Sequence, residues 1–135
     1  MQPFPIHWAA VLAAALIRIV VGFVWYSPML FFRPWKEVVN IPEEQMKAGM
    51  ARSMLLHALG SVVMAFVLLH AVHYAGARGL GQGAAVGFFN WFGFIFITQL
   101  DTVIAEKRPF RFFAINTGGA LISLLLMGAL LATWV

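Results

Sequence analysis

Cysteine is absent from the 135 residues, and charged residues make up only 10% of them. The missing thiols exclude disulfide bonds, thiolate metal sites and a cysteine nucleophile. The scarcity of charge excludes an ordinary soluble domain, in which about a quarter of the residues are charged. With 62% hydrophobic residues and a mean hydropathy of +0.88, the chain has too few polar side chains to cover a surface that faces water. These values predict a membrane protein.

Recognisable catalytic motifs are also absent from the sequence. It contains no HExxH pair, no P-loop and no Ser/His/Asp set in a familiar context. We therefore interpret the protein as non-enzymatic. The net charge of +4 does not indicate nucleic-acid binding, because nearly all Lys and Arg residues lie in two short connections between apolar segments.

Four apolar segments follow one another, each with about the 20 residues that a helix needs to cross the hydrocarbon core of a bilayer. They cover residues 6–26, 54–73, 83–104 and 112–134. We expect a single all-α domain over residues 1–135, an integral membrane bundle of four transmembrane helices. No Lys or Arg precedes the first segment, so the N-terminus does not resemble a secretory signal peptide, and residues 1–7 are expected to form a short tail.

The distribution of basic residues predicts the orientation of this bundle. Seven Lys and Arg residues lie in the connections after the first and third segments, whereas only Arg78 lies between the second and third. Cytoplasmic loops carry the excess of Lys and Arg. We therefore expect a bacterial inner-membrane protein with both termini in the periplasm.

The connection after the first segment is expected to lie at the cytoplasmic interface. Residues 29–35 are rich in Met, Leu, Phe and Trp, which suits a segment in the plane of the membrane surface. Asn40 and Glu43 have the spacing of a capping box, which predicts a short amphipathic helix over about residues 41–51.

Several short motifs occur in the order and spacing of one family. They are WYSP at 25–28, LF at 30–31 and Trp35, followed by Gly93-Phe94, Asp101, EKRP at 106–109, Ile115-Asn116, MGA at 127–129 and Trp134. Over nearly its whole length the chain resembles a family of small bacterial membrane proteins catalogued as domain of unknown function 1761. The resemblance implies a four-helix integral membrane protein with no settled activity. Arg18 departs from the apolar or small residue that the resemblance implies at this position.

The third segment carries small and polar residues at steps of three and four, which places them on one helical face. They are Gly79, Gly83, Gly87, Asn90, Phe94, Thr98 and Asp101. Small residues at this spacing allow another helix backbone to approach closely. We predict that Gly83, Gly87 and Asn90 pack against a neighbour and that this helix is the central one of the bundle.

A polar cluster is predicted in the cytoplasmic half of the bundle. Helical rise and orientation give similar depths to His57, Thr98, Asp101, Asn116 and Thr117. A His57–Asp101 pair could relay protons or bind a cation, because each partner stabilises the charged form of the other. The alternatives are a polar clasp that holds the helices together, or pairing of Asp101 with cations of the following loop.

Arg18 lies near the middle of the first segment, where a charge is costly unless it finds partners. We expect burial on the small-residue face beside Ala14 and Gly22, with hydrogen bonds to Ser61, Asn90, helix carbonyls, or an anionic ligand or partner. The alternative is snorkelling towards the outer face.

No cofactor is predicted. His70 and His73 have a spacing that could share a metal, but no carboxylate lies near them in sequence, so we interpret them as interfacial and predict no metal site. Bound lipid is expected, and a pigment or haem could be held only with ligands from a partner chain.

The leading functional hypothesis is a helix-packing membrane module that acts as a homo-oligomer or as an accessory subunit of a larger membrane complex. Its expected partners are membrane lipid and other membrane protein chains. The alternative is a small oligomeric transporter or channel for a small solute, for which Arg18 would favour an anion. An enzyme acting on lipid ranks last.

Overall fold

The computed structural model describes residues 2–134, and within this range every regular element is helical. Seven α-helices and one π-helical segment follow in the order α1 (Trp8–Trp25), α2 (Phe32–Val39), α3 (Glu43–Ala48), α4 (Met50–Tyr74), α5 (Gly79–Asn90), the π segment (Trp91–Phe96), α6 (Ile97–Ile104) and α7 (Phe110–Trp134).

Four helices are long and apolar enough to cross a membrane. They are α1, α4, α7 and the continuous helix Gly79–Ile104, which comprises α5, the π segment and α6. This confirms the predicted all-α bundle of four transmembrane helices, with bounds that differ from the predicted ones by only a few residues.

The ends of the first and last helices lie together. His7 caps α1, because its Nδ1 atom accepts a hydrogen bond from the amide of Ala10 at 3.3 Å. The other ring nitrogen of His7 lies 3.3 Å from the indole nitrogen of Trp134 at the end of α7. The two ends of the chain therefore emerge on the same side of the bundle.

The central helix is α7, which packs against α1, α4, α5 and α6. The prediction that gave this place to the third transmembrane helix was wrong. Small residues on more than one face of α7 explain the difference, because Gly119 and Ser123 are buried near α1 whereas Gly128 meets α5. A helix with several close-packing faces can contact several neighbours at once.

The closest approach in the bundle joins α5 to α7. A β-carbon at Gly83 would overlap the carbonyl oxygen of Gly128, and one at Gly87 would overlap the carbonyl oxygen of Leu124. Only glycine permits such backbone contact. The third residue of the predicted packing set, Asn90, instead donates a hydrogen bond to the Val86 carbonyl of its own helix at 2.8 Å.

The π segment interrupts the single helical face that was predicted for the third transmembrane helix from Gly79 to Asp101. Hydrogen bonds from residue i to i+5 give a wider turn than an α-helix, so residues beyond the segment are rotated away from the face that an uninterrupted α-helix would give them. Phe94 lies within the segment, Thr98 and Asp101 lie beyond it, and all three are exposed, although Gly83 and Gly87 on the same predicted face are buried.

The connection between α1 and α4 contains two short helices rather than the single one predicted. Asn40 ends α2 in the left-handed conformation, with φ 54°, and its amide donates to the Lys36 carbonyl at 2.8 Å. Asn tolerates this conformation better than most residues, which makes it a good C-cap. Pro42, without a side-chain cap, precedes α3. The predicted capping box of Asn40 and Glu43 was therefore wrong.

Ion pairs fix this connection at the end of the bundle where α7 begins. Lys36 donates a hydrogen bond to Glu43 at 2.5 Å, and Arg111 of α7 donates to Glu37 of α2 at 3.1 Å. The hydrogen bond and the charge of Lys36, with a further contribution from the charge of Lys47, lower the pKa of Glu43.

Candidate functional site

Arg18 binds to α4 well inside the bundle. Its Nη1 atom donates hydrogen bonds to the hydroxyl of Ser61 at 2.7 Å and to the carbonyl oxygen of His57 at 3.3 Å. Ser61 is fully buried and donates in turn to the same His57 carbonyl at 2.7 Å. Arg18 lies seven residues before the end of α1, a depth of about 10 Å at the rise of an α-helix. This intramembrane cation is therefore held by α4.

The position of Arg18 assigns the tautomer of His57. The Nη1 atom lies 3.3 Å from the Nδ1 atom of His57. Because a guanidinium can only donate, this contact fits the tautomer in which Nδ1 accepts and the ring proton lies on Nε2. That Nε2 atom lies above Gly22 of α1, at 3.3 Å from where a β-carbon would be. Gly22 thus makes room for a hydrogen-bond donor.

One edge of the Arg18 guanidinium is unused by the protein. All of its hydrogen bonds leave from Nη1, and Nε and Nη2 find no partner within residues 2–134. These two nitrogens form the planar pair of donors with which arginine binds both oxygens of a carboxylate or phosphate. Nη1 therefore holds Arg18 to α4, whereas Nε and Nη2 can donate hydrogen bonds to a ligand.

Arg18 lines a small chamber of about 110 Å³ between α1, α4 and α7. Its polar lining residues are Arg18, Tyr26, His57, Asn116 and Ser123, and no carboxylate is among them. The hydroxyl of Tyr26 donates to Oδ1 of Asn116 at 2.7 Å, which joins the C-terminal end of α1 to α7. The chamber is thus a cationic, donor-bearing space inside an otherwise apolar bundle.

Trp25 closes the chamber against α7. Its indole nitrogen donates to the carbonyl of Ile115 at 2.8 Å. Its ring lies on Gly118 and Gly119, and a β-carbon at Gly119 would come within 2.8 Å of the ring. Two consecutive glycines therefore create the space that this aromatic side chain needs.

A larger groove of about 540 Å³ lies beside the chamber, between α1 and α4. Most of its lining is apolar, and Trp35 of α2 contributes to it. The lining residues are Ile19, Gly22, Phe23, Tyr26, Trp35, Ser53, Met54, His57 and Ala58. Gly22, Tyr26 and His57 line both spaces, so the groove and the chamber share one wall.

The five residues of the predicted polar cluster do not come together in the structure. His57 and Asn116 both line the chamber. Thr117 donates to the Phe113 carbonyl of its own helix at 2.6 Å, because consecutive residues of α7 face different neighbours.

The other two members of that predicted cluster are exposed. The Thr98 hydroxyl donates to the Phe94 carbonyl of its own helix. The Asp101 carboxylate has no hydrogen-bond or ion-pair partner in the described part of the chain, and the loop cations Lys107 and Arg108 do not pair with it. The rotation introduced by the π segment explains why these two residues leave the predicted face.

At the other end of the bundle, the histidines pack against the N-terminal tail. The ring of Phe4 stacks on His73 with a centroid distance of 3.7 Å, and His70 bonds through Nδ1 to the Phe66 carbonyl at 2.8 Å. Residues 2–134 contain no group of three potential His or carboxylate metal ligands. These histidines serve as aromatic packing partners.

Sequence reasoning placed Gly22 beside Arg18 but missed Trp25, Tyr26 and Ser123 as site residues. The WYSP stretch gave a signal for the two aromatic residues, since it carries the family resemblance, but nothing in it indicates that Tyr26 reaches Asn116. Ser123 has no distinguishing signal, because a lone serine in an apolar helix usually bonds to its own backbone.

Comparisons with known proteins identify a family for this fold and site. No curated protein and no solved structure matches the chain. A family profile described as "Protein of unknown function (DUF1761)" matches residues 9–132, which include every residue of the chamber and the groove. The chain therefore belongs to this family of proteins of unknown function.

Proposed function

We propose that the protein is a non-enzymatic subunit of a larger assembly in the bacterial inner membrane. The observation that carries this proposal is the uncovered polar face of the third transmembrane helix. Phe94, Thr98 and Asp101 are exposed on it, and the carboxylate has no partner within residues 2–134. An ionisable residue in a membrane-spanning helix ordinarily finds a partner, because an unpaired charge is costly there.

Charge complementarity identifies the kind of chain that would cover this face. A helix with a basic or hydrogen-bond-donating side chain near the cytoplasmic interface would pair with Asp101. A second copy in a two-fold interface would bring the same patch against itself, because such interfaces are self-complementary. The two Asp101 carboxylates would then repel each other. We therefore favour an accessory-subunit role with a different membrane protein over a homodimer through this face.

Site-specific photo-crosslinking tests this proposal. A photoreactive residue at Thr98 should capture a membrane protein in intact cells, and Asp101→Asn should abolish the adduct. The same residue at Leu12, which is 58% exposed on α1, provides the matched control and should give no Asp101-dependent adduct. A Thr98 adduct with the mass of two copies of this chain would indicate a homo-oligomer instead of an accessory subunit. An adduct with lipid alone would contradict both the accessory-subunit role and the homo-oligomer.

The proposed orientation places both termini in the periplasm. It is supported by the seven basic residues on the α1–α4 and α6–α7 connections, against Arg78 alone on the α4–α5 side. Single cysteines at Gln2, Lys47, Arg78 and Lys107 can be introduced into a chain that has none. We expect a membrane-impermeant thiol reagent to label positions 2 and 78 from outside intact inner-membrane vesicles of native orientation. Labelling of position 47 from outside would indicate the opposite orientation.

A small oligomeric transporter for an anionic solute is the second candidate, and Arg18 is the observation that favours it. Towards the periplasmic end, however, α1 is packed tightly, with Ala10, Val11 and Ala14 fully buried. A pathway would therefore have to form between chains. Uptake of labelled phosphate by proteoliposomes, lost in Arg18→Gln, would favour this candidate over the subunit proposal.

A further inference from the structure

We propose that the chamber and the groove together bind a long-chain carboxylate, with its head in the chamber and its acyl chain in the groove. This inference is independent of the subunit role, which concerns another face of the molecule.

The head site follows from charge complementarity. The chamber contains the cation Arg18, and no carboxylate among its lining residues neutralises it. The free Nε and Nη2 edge of Arg18 is the geometry that binds both oxygens of a carboxylate. A volume of about 110 Å³ is small, which suits a compact head rather than a headgroup that carries further polar substituents.

The tail site follows from the groove. Its volume of about 540 Å³ falls in the range of roughly 300–1,000 Å³ that is usual for small-molecule sites. Ile19, Phe23 and Met54 give it an apolar surface suited to an acyl chain. Gly22, Tyr26 and His57 line both spaces, so the groove and the chamber lie on either side of these residues, and the proposal requires the acyl chain to pass between α1 and α4 beside Gly22.

His57 lies at the junction between head and tail. Its Nδ1 atom faces Arg18, and its Nε2–H lies above Gly22 without a partner among residues 2–134. We therefore assign His57 Nε2 as a second donor to the bound carboxylate. Arg18 lies about 10 Å inside the end of α1, and the groove extends from this depth towards that end, as far as Tyr26 and Trp35. The acyl chain would therefore run towards the interface, and the small volume around the buried cation favours a fatty acid over a phospholipid.

Native mass spectrometry of the purified, delipidated chain in detergent tests the proposal. The probes are stearate, stearyl alcohol and dioleoylphosphatidylglycerol, each at several concentrations. We expect one stearate per chain and an apparent affinity at least about tenfold higher than for the alcohol, because charge-assisted hydrogen bonds to Arg18 are lost with a neutral head. Equal binding of acid and alcohol would refute the charge argument, and displacement of stearate by the phospholipid would identify a phospholipid site instead.

Variants locate the site within the chain. Arg18→Gln should lower stearate affinity at least about tenfold, whereas Arg78→Gln, which removes a cation from the opposite loop, should leave it unchanged. Gly22→Val would place a larger side chain where the groove meets the chamber. It should also abolish stearate binding, although Arg18 is kept. Unchanged binding in both Arg18→Gln and Gly22→Val would refute the proposal. If Arg18→Gln fails to fold, the comparison of stearate with stearyl alcohol on the wild-type chain, together with stearate binding by Gly22→Val, still tests the proposal.

Discussion

Substitution of Gly87 by alanine should separate the two most closely packed helices. The added β-carbon would overlap the Leu124 carbonyl oxygen and lie 3.2 Å from the amide nitrogen of Leu125. Both are backbone atoms of α7, so no side-chain rotation can relieve the overlap. The helices themselves must move apart along the whole α5–α7 contact.

The expected cost follows from this geometry. Inserting a methyl group into a well-packed contact typically costs about 1–3 kcal/mol. Weak Cα–H···O contacts at close helix crossings contribute about 0.5–1 kcal/mol each, and separation would weaken them at Gly83 as well. Alanine regains up to about 1 kcal/mol of helix propensity over glycine, and this gain must be removed by a control.

Gly81 provides that control within the same helix. A β-carbon at Gly81 would have no neighbour within 4 Å, so Gly81→Ala keeps the propensity gain without the overlap. We expect Gly87→Ala to unfold with a free energy lower than that of Gly81→Ala by about 1–3 kcal/mol, measured by reversible SDS titration in mixed micelles. Equal unfolding free energies for the two variants would refute the close α5–α7 contact.

Three further outcomes are expected. Trp25→Phe should lower the free energy of unfolding by about 1 kcal/mol, because it removes the hydrogen bond to Ile115; Trp8→Phe, on an exposed residue, should have no comparable effect in the same titration. Phe4→Ala should release the N-terminal tail from His73, which a spin label at position 2 would report as increased mobility in EPR spectra. Lys36→Gln should raise the pKa of Glu43 towards its ordinary value, whereas Lys36→Arg should keep it low, as followed by carbon-13 NMR. Since the folded-state pKa of Glu43 is depressed, its contribution to stability is present above its unfolded pKa and is lost as the pH falls through the folded value; an unchanged titration in Lys36→Gln would contradict the ion pair.

The four transmembrane helices could be predicted because the bilayer fixes the length of any apolar span. The basic loops and the small residues at 83 and 87 were equally visible, since both follow general rules of membrane proteins. The faces that the helices present to one another were less predictable. In lipid both the packed and the exposed faces are apolar: Leu68 and Leu69 are buried, but Leu59 and Val67 of the same helix are exposed.

The polar residues show a second limit of sequence reasoning. Placing Thr98 and Asp101 with His57 assumed an uninterrupted α-helix, and the π segment invalidates that assumption. The Arg18–Ser61 contact, by contrast, depended only on two helices of known direction and similar depth. The Tyr26–Asn116 bond required the packing of α1 on α7, for which no periodic pattern gives a signal.

The contact between Arg18 and α4 also constrains how the protein enters the membrane during synthesis. His57 is 39 residues further along the chain than Arg18. At about 5–20 residues per second, the ribosome therefore delivers the partners of Arg18 about 2–8 s after the arginine itself. During that interval α1 alone carries an insertion penalty of about 2.5–3.5 kcal/mol for a central arginine. The apolar residues of α1 offset much of this penalty, and the contacts with the second helix remove more of it, so truncated nascent chains that end before His57 should insert α1 less completely than longer ones.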